Sequence, residues 1–240
     1  MKPKTIYIHI PFCAHKCLFC SFAIAVGAQH HIEKYLDCLE NEILKHRGLD
    51  IDTIYLGGGT PSMLSQQQLV RLMRMIKDHF TFNLGYEFTL EANPENLDRD
   101  KIKFLKQEGV NRLSIGVQSL NDAYLKYLGR KHQANLALEV VEHAKQEGFV
   151  NLNLDLMYAF PNQSMEDLTC DVHAIARLNS QHLSLYTLTI EPKSRFYSQE
   201  IKLDDEEKIA QQYLLIVSIL KEYGFKQYEI SNFAKDGFDS

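Results

Sequence analysis

Six short strand-like runs recur along the chain, and a stretch with helical periodicity follows each of them. The runs cover residues 5–10, 53–57, 86–91, 112–117, 151–157 and 182–187. Repeated strand–helix units predict a parallel sheet with helical crossovers. One helix start is marked by Ser65-Gln-Gln-Gln68, which has the Ser-x-x-Gln capping pattern. The 240 residues contain neither an internal repeat nor a low-complexity linker, so one α/β core domain is predicted.

Alternation within the runs predicts one aliphatic and one polar face of the sheet. Successive strand residues point to opposite faces, so Leu152, Leu154 and Leu156 oppose Asn153 and Asp155. The runs that begin at residues 5, 86 and 112 alternate in the same way. Parallel sheets are normally covered on both faces, and closed eight-stranded barrels are filled with branched aliphatic side chains. The polar face therefore favours an open barrel that holds a large polar ligand over an open sheet with one wetted face.

Composition limits the partners and the compartment that we expect. The chain has 26 basic and 31 acidic residues and a net charge of −5, whereas nucleic-acid-binding domains are usually strongly basic. The longest apolar stretch, residues 22–26, is too short to cross a bilayer, and the first residues lack the apolar region of a signal peptide. We therefore expect a cytoplasmic protein that neither spans a membrane nor binds nucleic acid.

Three of the five cysteines lie within eight residues, directly after the first predicted strand. The segment reads Cys13-Ala-His-Lys-Cys17-Leu-Phe-Cys20, and α/β folds place ligands in loops that follow strands. The residues alone permit three interpretations. The cysteines could bind zinc with His15, Cys17 and Cys20 could form a redox pair, or three thiolates could hold an iron–sulfur cluster with one open iron.

The cysteine spacing resembles that of the radical S-adenosylmethionine (SAM) superfamily. Further segments resemble one group within it, the oxygen-independent coproporphyrinogen III oxidases and the related HemW-type heme chaperones. These segments are Tyr7-Ile-His-Ile-Pro-Phe-Cys13, Gly57-Gly-Gly-Thr60-Pro-Ser, Glu91-Ala-Asn-Pro94, Gly116-Val-Gln118-Ser, Leu128-Gly-Arg130-Lys-His132 and Asn153-Leu-Asp155-Leu-Met-Tyr. The resemblance implies a partial (β/α)6 TIM-like barrel, in agreement with the six units. It places a core domain over residues 1–232, with one more strand at 226–232, and the start of a connection to a C-terminal domain at 233–240.

The resemblance also implies ligands for individual residues. Cys13, Cys17 and Cys20 would ligate a [4Fe–4S] cluster whose open iron binds SAM, and an electron from the reduced cluster would cleave SAM. Contacts with SAM or a second bound ligand are implied for Tyr7, Phe19, Gly58, Gly59, Thr60, Glu91, Gln118, Arg130, Asp155 and Thr189.

The glycines, Glu91 and Arg130 also have simpler alternatives. The glycines permit close approach of backbone to a ligand, but a plain glycine-rich turn has the same composition. Glu91 is expected to bind a ribose hydroxyl or the SAM ammonium, or else to be a helix-capping or solvated carboxylate before Pro94. Arg130 is expected to pair with a carboxylate of SAM or of a porphyrin propionate, or else with an aspartate of the barrel.

Two departures from the oxidase pattern bear on function. Phe22 stands where the oxidase has a fourth cysteine, which is typical of the chaperone branch, and the chaperone's histidine-bearing C-terminal motif does not occur before Ser240. The resemblance implies a radical SAM protein that binds heme, delivers it to an acceptor protein and receives electrons from a donor. The alternatives are an oxidoreductase that decarboxylates coproporphyrinogen III without oxygen, and a zinc-binding structural domain.

Overall fold

The computed structural model describes residues 4–240 of the chain. Its strands are β1 (Thr5–Ile10), β2 (Phe12–Cys13), β3 (Ala25–Val26), β4 (Leu49–Gly58), β5 (Phe80–Ala92), β6 (Arg112–Gln118), β7 (Asn151–Tyr158), β8 (His182–Thr187), β9 (Lys226–Gln227) and β10 (Asn232–Ala234). Its α-helices are α1 (Ile32–Lys45), α2 (Gln66–His79), α3 (Arg99–Gln107), α4 (Asp122–Leu128), α5 (Ala134–Gln146), α6 (Met165–Arg177), α7 (Arg195–Ser198) and α8 (Glu206–Glu222).

Eight strands form one open sheet in the order β1-β4-β5-β6-β7-β8-β10-β9. Neighbours from β1 to β8 are parallel and are joined through helices, whereas β10 is antiparallel to β8 and β9. The six parallel strands coincide with the six predicted runs, so the predicted α/β architecture is confirmed. β4 and β5 begin earlier than predicted, at Leu49 and Phe80, and pair there before a β-bulge between Ile51 and Thr53.

The C-terminal segment folds as a short hairpin and not as the single strand expected over 226–232. Tyr228 N–H donates to Asn232 O, and Asn232 N–H donates to Glu229 O, so the chain turns between β9 and β10. Phe233 and Ala234 pair with β8, so the proposed boundary between residues 232 and 233 falls inside β10.

The aliphatic face of the sheet packs against the helices and forms the core. Leu152, Leu154 and Leu156 are buried there, as the alternation predicts. The expected capping box also forms at the start of α2, where Ser65 Oγ accepts a hydrogen bond from Gln68 N–H and Ser65 N–H donates to Gln68 Oε1. Within residues 4–240, no helix is both long and apolar enough to cross a membrane.

Candidate functional site

A cavity of about 390 Å³ lies at the carboxyl ends of the parallel strands, under the loop that carries the three cysteines. Every predicted site residue except Tyr7 contributes to its lining: Cys13, Cys17, Phe19, Cys20, Gly58, Gly59, Thr60, Glu91, Gln118, Arg130, Asp155 and Thr189. Tyr7 lies outside the lining and is 56% exposed; its hydroxyl lies 3.0 Å from His9 Nδ1 and its ring stacks on Tyr55, whose hydroxyl donates to the lining residue Glu91. Residues distant in sequence therefore share one site.

The cysteine loop is held by backbone pairing at both ends. Its first cysteine, Cys13, lies in β2, which pairs with β3, and Cys20 N–H donates to Cys17 O at 3.2 Å. Cys13 is buried, Cys17 and Cys20 are half-buried, and burial raises the pKa of the Cys13 and Cys20 thiols. No three Cys, His, Asp or Glu side chains of residues 4–240 stand in a metal-ligating arrangement.

Two polar groups already contact cysteine sulfurs. Thr60 Oγ1 lies 3.5 Å from Cys13 Sγ, and Arg130 Nη1 lies 3.6 Å from Cys17 Sγ. Asn93 joins these two contacts, because its Nδ2 donates to Thr60 Oγ1 at 3.2 Å and its Oδ1 accepts from Arg130 Nη2 at 2.7 Å. Donors placed around cysteine sulfurs favour the thiolate form that a metal cluster requires.

Arg130 has a carboxylate partner, but it is a glutamate and not the aspartate considered above. Its guanidinium donates to Gly116 O at 2.9 Å and lies 3.8 Å from Glu95 Oε2, which also lies 3.2 Å from His132 Nδ1. Burial opposes ionisation of Glu95, but the His132 hydrogen bond and the Arg130 charge outweigh it and lower the pKa of Glu95 to about 2. Among the described residues, Arg130 Nε has no hydrogen-bond partner although it is buried.

Glu91 is tied to the glycine-rich loop and does not cap a helix. Its Oε2 accepts from Gly58 N–H at 3.0 Å and its Oε1 accepts from Tyr55 OH at 2.8 Å. Burial raises the pKa of Glu91 despite these hydrogen bonds. Gly58 has a φ of +113°, and a Cβ there would lie 2.6 Å from the His9 ring. Only glycine fits this position without strain.

Asp155 stands at one end of a hydrogen-bonded chain that continues into the barrel. Asn153 Nδ2 donates to Asp155 Oδ1 at 2.7 Å and to Ser114 Oγ at 2.8 Å, while Asn153 Oδ1 lies 2.7 Å from His182 Nδ1. Tyr228 extends the chain, because its hydroxyl lies 2.8 Å from His182 Nε2 and donates to Ser240 O at 3.1 Å. Burial, opposed by the Asn153 hydrogen bond, raises the pKa of Asp155 to about 7. Near neutral pH, Asp155 can thus either donate or accept a hydrogen bond.

Gln118 has the left-handed backbone conformation that non-glycine residues seldom adopt. Its φ is 69°, and the register between β6 and β7 shifts between Gly116 and Gln118. Such irregularities re-aim side chains and cluster at functional sites. Here the irregularity ends β6 at the cavity, where Gln118 is part of the lining.

Several lining residues had no role in the sequence analysis. Asn93 lines the cavity, and His132 contacts the lining residue Glu95. Both lie in quoted segments, Glu91-Ala-Asn-Pro94 and Leu128-Gly-Arg130-Lys-His132, so the motifs themselves could have pointed to them. Tyr186 shares the polar side of β8 with Ser184, and the period-two alternation of that strand was the available signal. Burial and the nearby Asp155 raise the pKa of Tyr186 to about 12.

The residues present fit an iron–sulfur cluster and a zwitterionic ligand. Three thiols face one cavity, which suits a cluster with a vacant iron position better than a closed four-ligand zinc site. Arg130 and the Glu91 carboxylate bring opposite charges to the same cavity. Besides its contact with Glu95, Arg130 keeps one buried donor, Nε, that has no hydrogen-bond partner in the described residues. These groups suit a ligand that carries both a carboxylate and an ammonium.

Comparison with known proteins gives a consistent result. Residues 7–172 match the family model described as the Radical SAM superfamily. The heme chaperone HemW of Lactococcus lactis subsp. lactis is 41% identical over 100% of this chain and 64% of its own length. The heme chaperone HemW of Bacillus subtilis is 40% identical over 99% of this chain and 65% of its own length. The chain thus spans less than two thirds of these curated relatives.

A solved structure extends the comparison to the fold. Coproporphyrinogen III oxidase (HemN) from Escherichia coli superposes with a TM-score of 0.90 at 30% identity, over 98% of this chain and 56% of the other. The six parallel strands and the cysteine loop therefore belong to an arrangement found in a radical SAM enzyme.

Proposed function

Because the chain belongs to the radical SAM superfamily, with the [4Fe–4S] cluster and SAM as its cofactors, we propose that it is the core of a heme chaperone. In this proposal Cys13, Cys17 and Cys20 hold the cluster, and the adjoining cavity holds SAM. The cofactors supply one-electron chemistry when bound. The protein's own residues bind, orient and shield them.

The two charged groups of SAM would bind to different residues of the cavity. We assign the carboxylate of SAM to Arg130, whose Nε is buried without a partner in the described residues. We assign the ammonium to Glu91 and to the backbone of Gly58, which Glu91 holds through its hydrogen bond. Gln118, Asp155 and the remaining predicted residues would contact the rest of the ligand or a second one. Phe19 and Thr189 lie at the same cavity and would border it.

Similarity to heme chaperones is the observation that carries the proposal. Relatives of that name reach 41% identity over the whole chain. Phe22 supports the same assignment, because it occupies the position of the oxidase's fourth cysteine and leaves the cavity with three thiols. In the full-length protein the chain would bind heme, pass it to an acceptor protein and take electrons from a donor. We place it in the cytoplasm, where cluster thiols stay reduced.

The oxidase remains the second candidate, and one observation favours it. The solved oxidase superposes on 98% of this chain with a TM-score of 0.90. By the sequence resemblance, Gln118, Arg130 and Asp155 would be positions that contact a second SAM in the oxidase, and all three line the cavity. This candidate would remove two propionate carboxyl groups from coproporphyrinogen III without oxygen.

One experiment separates the two candidates. The full-length protein is reconstituted anaerobically and mixed with SAM, dithionite and coproporphyrinogen III, and the porphyrin products are identified by mass spectrometry. In parallel, hemin binding is titrated by absorbance. The proposal predicts an unchanged porphyrin together with saturable hemin binding. Loss of two carboxyl groups would establish the oxidase instead, and a protein without hemin binding would contradict the chaperone.

A further inference from the structure

A second groove lies on the outer side of the cysteine loop. It shares Ala14, His15 and Ile24 with the cavity described above, so the cysteine loop is the wall between the two. The groove opens to solvent, and its other apolar residues include Leu18 and Val26, the latter 46% exposed. A molecule seated in this groove would therefore be separated from the proposed cluster only by the loop that holds it.

The groove is positively charged on a chain that is negative overall. Lys16, Lys131 and Arg195 line it, and its lining contains neither aspartate nor glutamate, whereas the chain carries a net charge of −5. Within residues 4–240, none of these three cations forms an ion pair. Three uncompensated cations around an apolar floor suit an acidic protein surface.

Hydrogen bonds fix the walls of the groove to one another. Leu18 N–H donates to Leu128 O at 3.0 Å, and Phe196 N–H donates to Leu18 O at 3.0 Å. Lys16 Nζ donates to Lys193 O at 3.0 Å. The cysteine loop, the end of α4 and the start of α7 are thereby joined, so the surface is formed before any partner arrives. Preorganised surfaces lose less entropy on binding.

The cations also lie next to the groups that contact the cluster cysteines. Lys16 directly precedes Cys17, and Lys131 directly follows Arg130, whose Nη1 is 3.6 Å from Cys17 Sγ. An electron carrier seated in the groove would therefore stand one loop away from the proposed cluster.

We propose that this groove docks a small acidic flavoprotein that delivers one electron from its reduced flavin. The inference rests on the proposed cluster and adds the surface on which its electron donor docks. One electron leaves the reduced carrier, which is oxidised by one equivalent, and enters the cluster, which is reduced by one equivalent; no bond forms or breaks. Attraction between the cations and the acidic carrier would speed their encounter, and salt would weaken it.

The test measures how fast the cluster is reduced by such a carrier. Full-length protein with its reconstituted cluster is mixed anaerobically with flavodoxin hydroquinone in a stopped-flow instrument, and cluster bleaching is followed at low and high salt. The groove variant combines Lys131→Glu with Arg195→Glu. The matched control combines Arg47→Glu with Lys103→Glu, two exposed cations of the α1–β4 turn and of α3 that lie outside the groove. Excess dithionite and EPR spin counting report whether each variant holds an intact cluster.

We expect reduction by flavodoxin to be roughly tenfold slower in the groove variant at low salt, with the control at the wild-type rate and the difference lost at high salt. Equal rates in all three proteins, or a wild-type cluster that flavodoxin does not reduce, would overturn the groove while leaving the cluster in place. A wild-type protein that assembles no cluster would overturn the proposed function and, with it, this inference.

Discussion

Replacement of Asp155 by asparagine should make the free energy of unfolding depend less on pH. Asp155 lies against the cavity with its Oδ1 accepting from Asn153, and burial raises its pKa from the ordinary value of 3.8 to about 7. The folded protein thus binds a proton that the unfolded chain has already released between these two pH values. Stability is therefore lost as the pH rises from about 4 to about 7, and the loss is complete above that range.

The magnitude follows from the two pKa values. A tenfold change in proton affinity is worth about 1.4 kcal/mol, so the rise from 3.8 to about 7 corresponds to an upper limit of about 4 kcal/mol. About 3 kcal/mol of this would develop between about pH 5 and about pH 8. Because Asp155 borders a solvent-accessible cavity, screening reduces the effect, and we expect roughly 1.5–3 kcal/mol.

Urea unfolding of wild-type and Asp155→Asn protein at several pH values measures this difference. Asparagine keeps the shape of the protonated side chain and cannot ionise, so the variant should gain stability relative to wild type as the pH rises. Asp50→Asn, which makes the same change at an exposed position, should show no such trend. A stability difference between wild type and Asp155→Asn that stays constant across the pH range would refute the reasoning.

Three further predictions concern the cysteine loop and its supports. Cys17→Ala should abolish the brown absorbance and reduced-state EPR signal of reconstituted protein, whereas Cys170→Ala, at an exposed helix position, should retain both. Gly59→Ala places a Cβ 2.6 Å from Phe12 O and should lower the free energy of unfolding by roughly 1–3 kcal/mol in urea denaturation; a neutral result would contradict the crowding. Arg130→Met should lower the free energy of unfolding by roughly 3 kcal/mol in the same assay, because the partly buried Glu95 keeps only its His132 partner. A decrease below about 0.5 kcal/mol would show that Arg130 contributes little to stability.

The long strands of the sheet were predictable because apolar and polar residues alternate along them. The short strands and the C-terminal hairpin have no such alternation and could not be predicted from it. Leu152, Leu154 and Leu156 face the core as their spacing requires, and the polar side chains between them face the barrel interior. Strands β2 and β3 have two residues each, too few for any period, and they exist because the cysteine loop folds back onto the chain after β1. The hairpin of β9 and β10 depends likewise on pairing with β8.

The candidate site was predictable as a set of residues and not as a set of contacts. The motifs brought Arg130, Glu91 and Asp155 to one cavity. However, the carboxylate partner of Arg130 is Glu95, which lies in a 3-10 turn at Pro94–Asn96. No local sequence pattern predicts that these two side chains come within 3.8 Å of each other. The left-handed backbone conformation of Gln118 could not be predicted either, because it accompanies the register shift between β6 and β7.

Gly59 and Gly129 both pack against the cysteine loop, so a substitution at either one can disturb the loop as well as remove a ligand contact. Gly59 abuts Phe12 O on one side of the cysteine loop, and a Cβ at Gly129 would lie 3.0 Å from Leu18 Cγ on the other. Both glycines therefore fit against the loop before any ligand binds, and a larger side chain at either position would push on the segment that carries the cysteines. Loss of SAM binding in such a variant would follow from a displaced cluster as readily as from a lost ligand contact. Cluster content must be measured first, and only a variant with a full cluster can assign Gly59 to SAM.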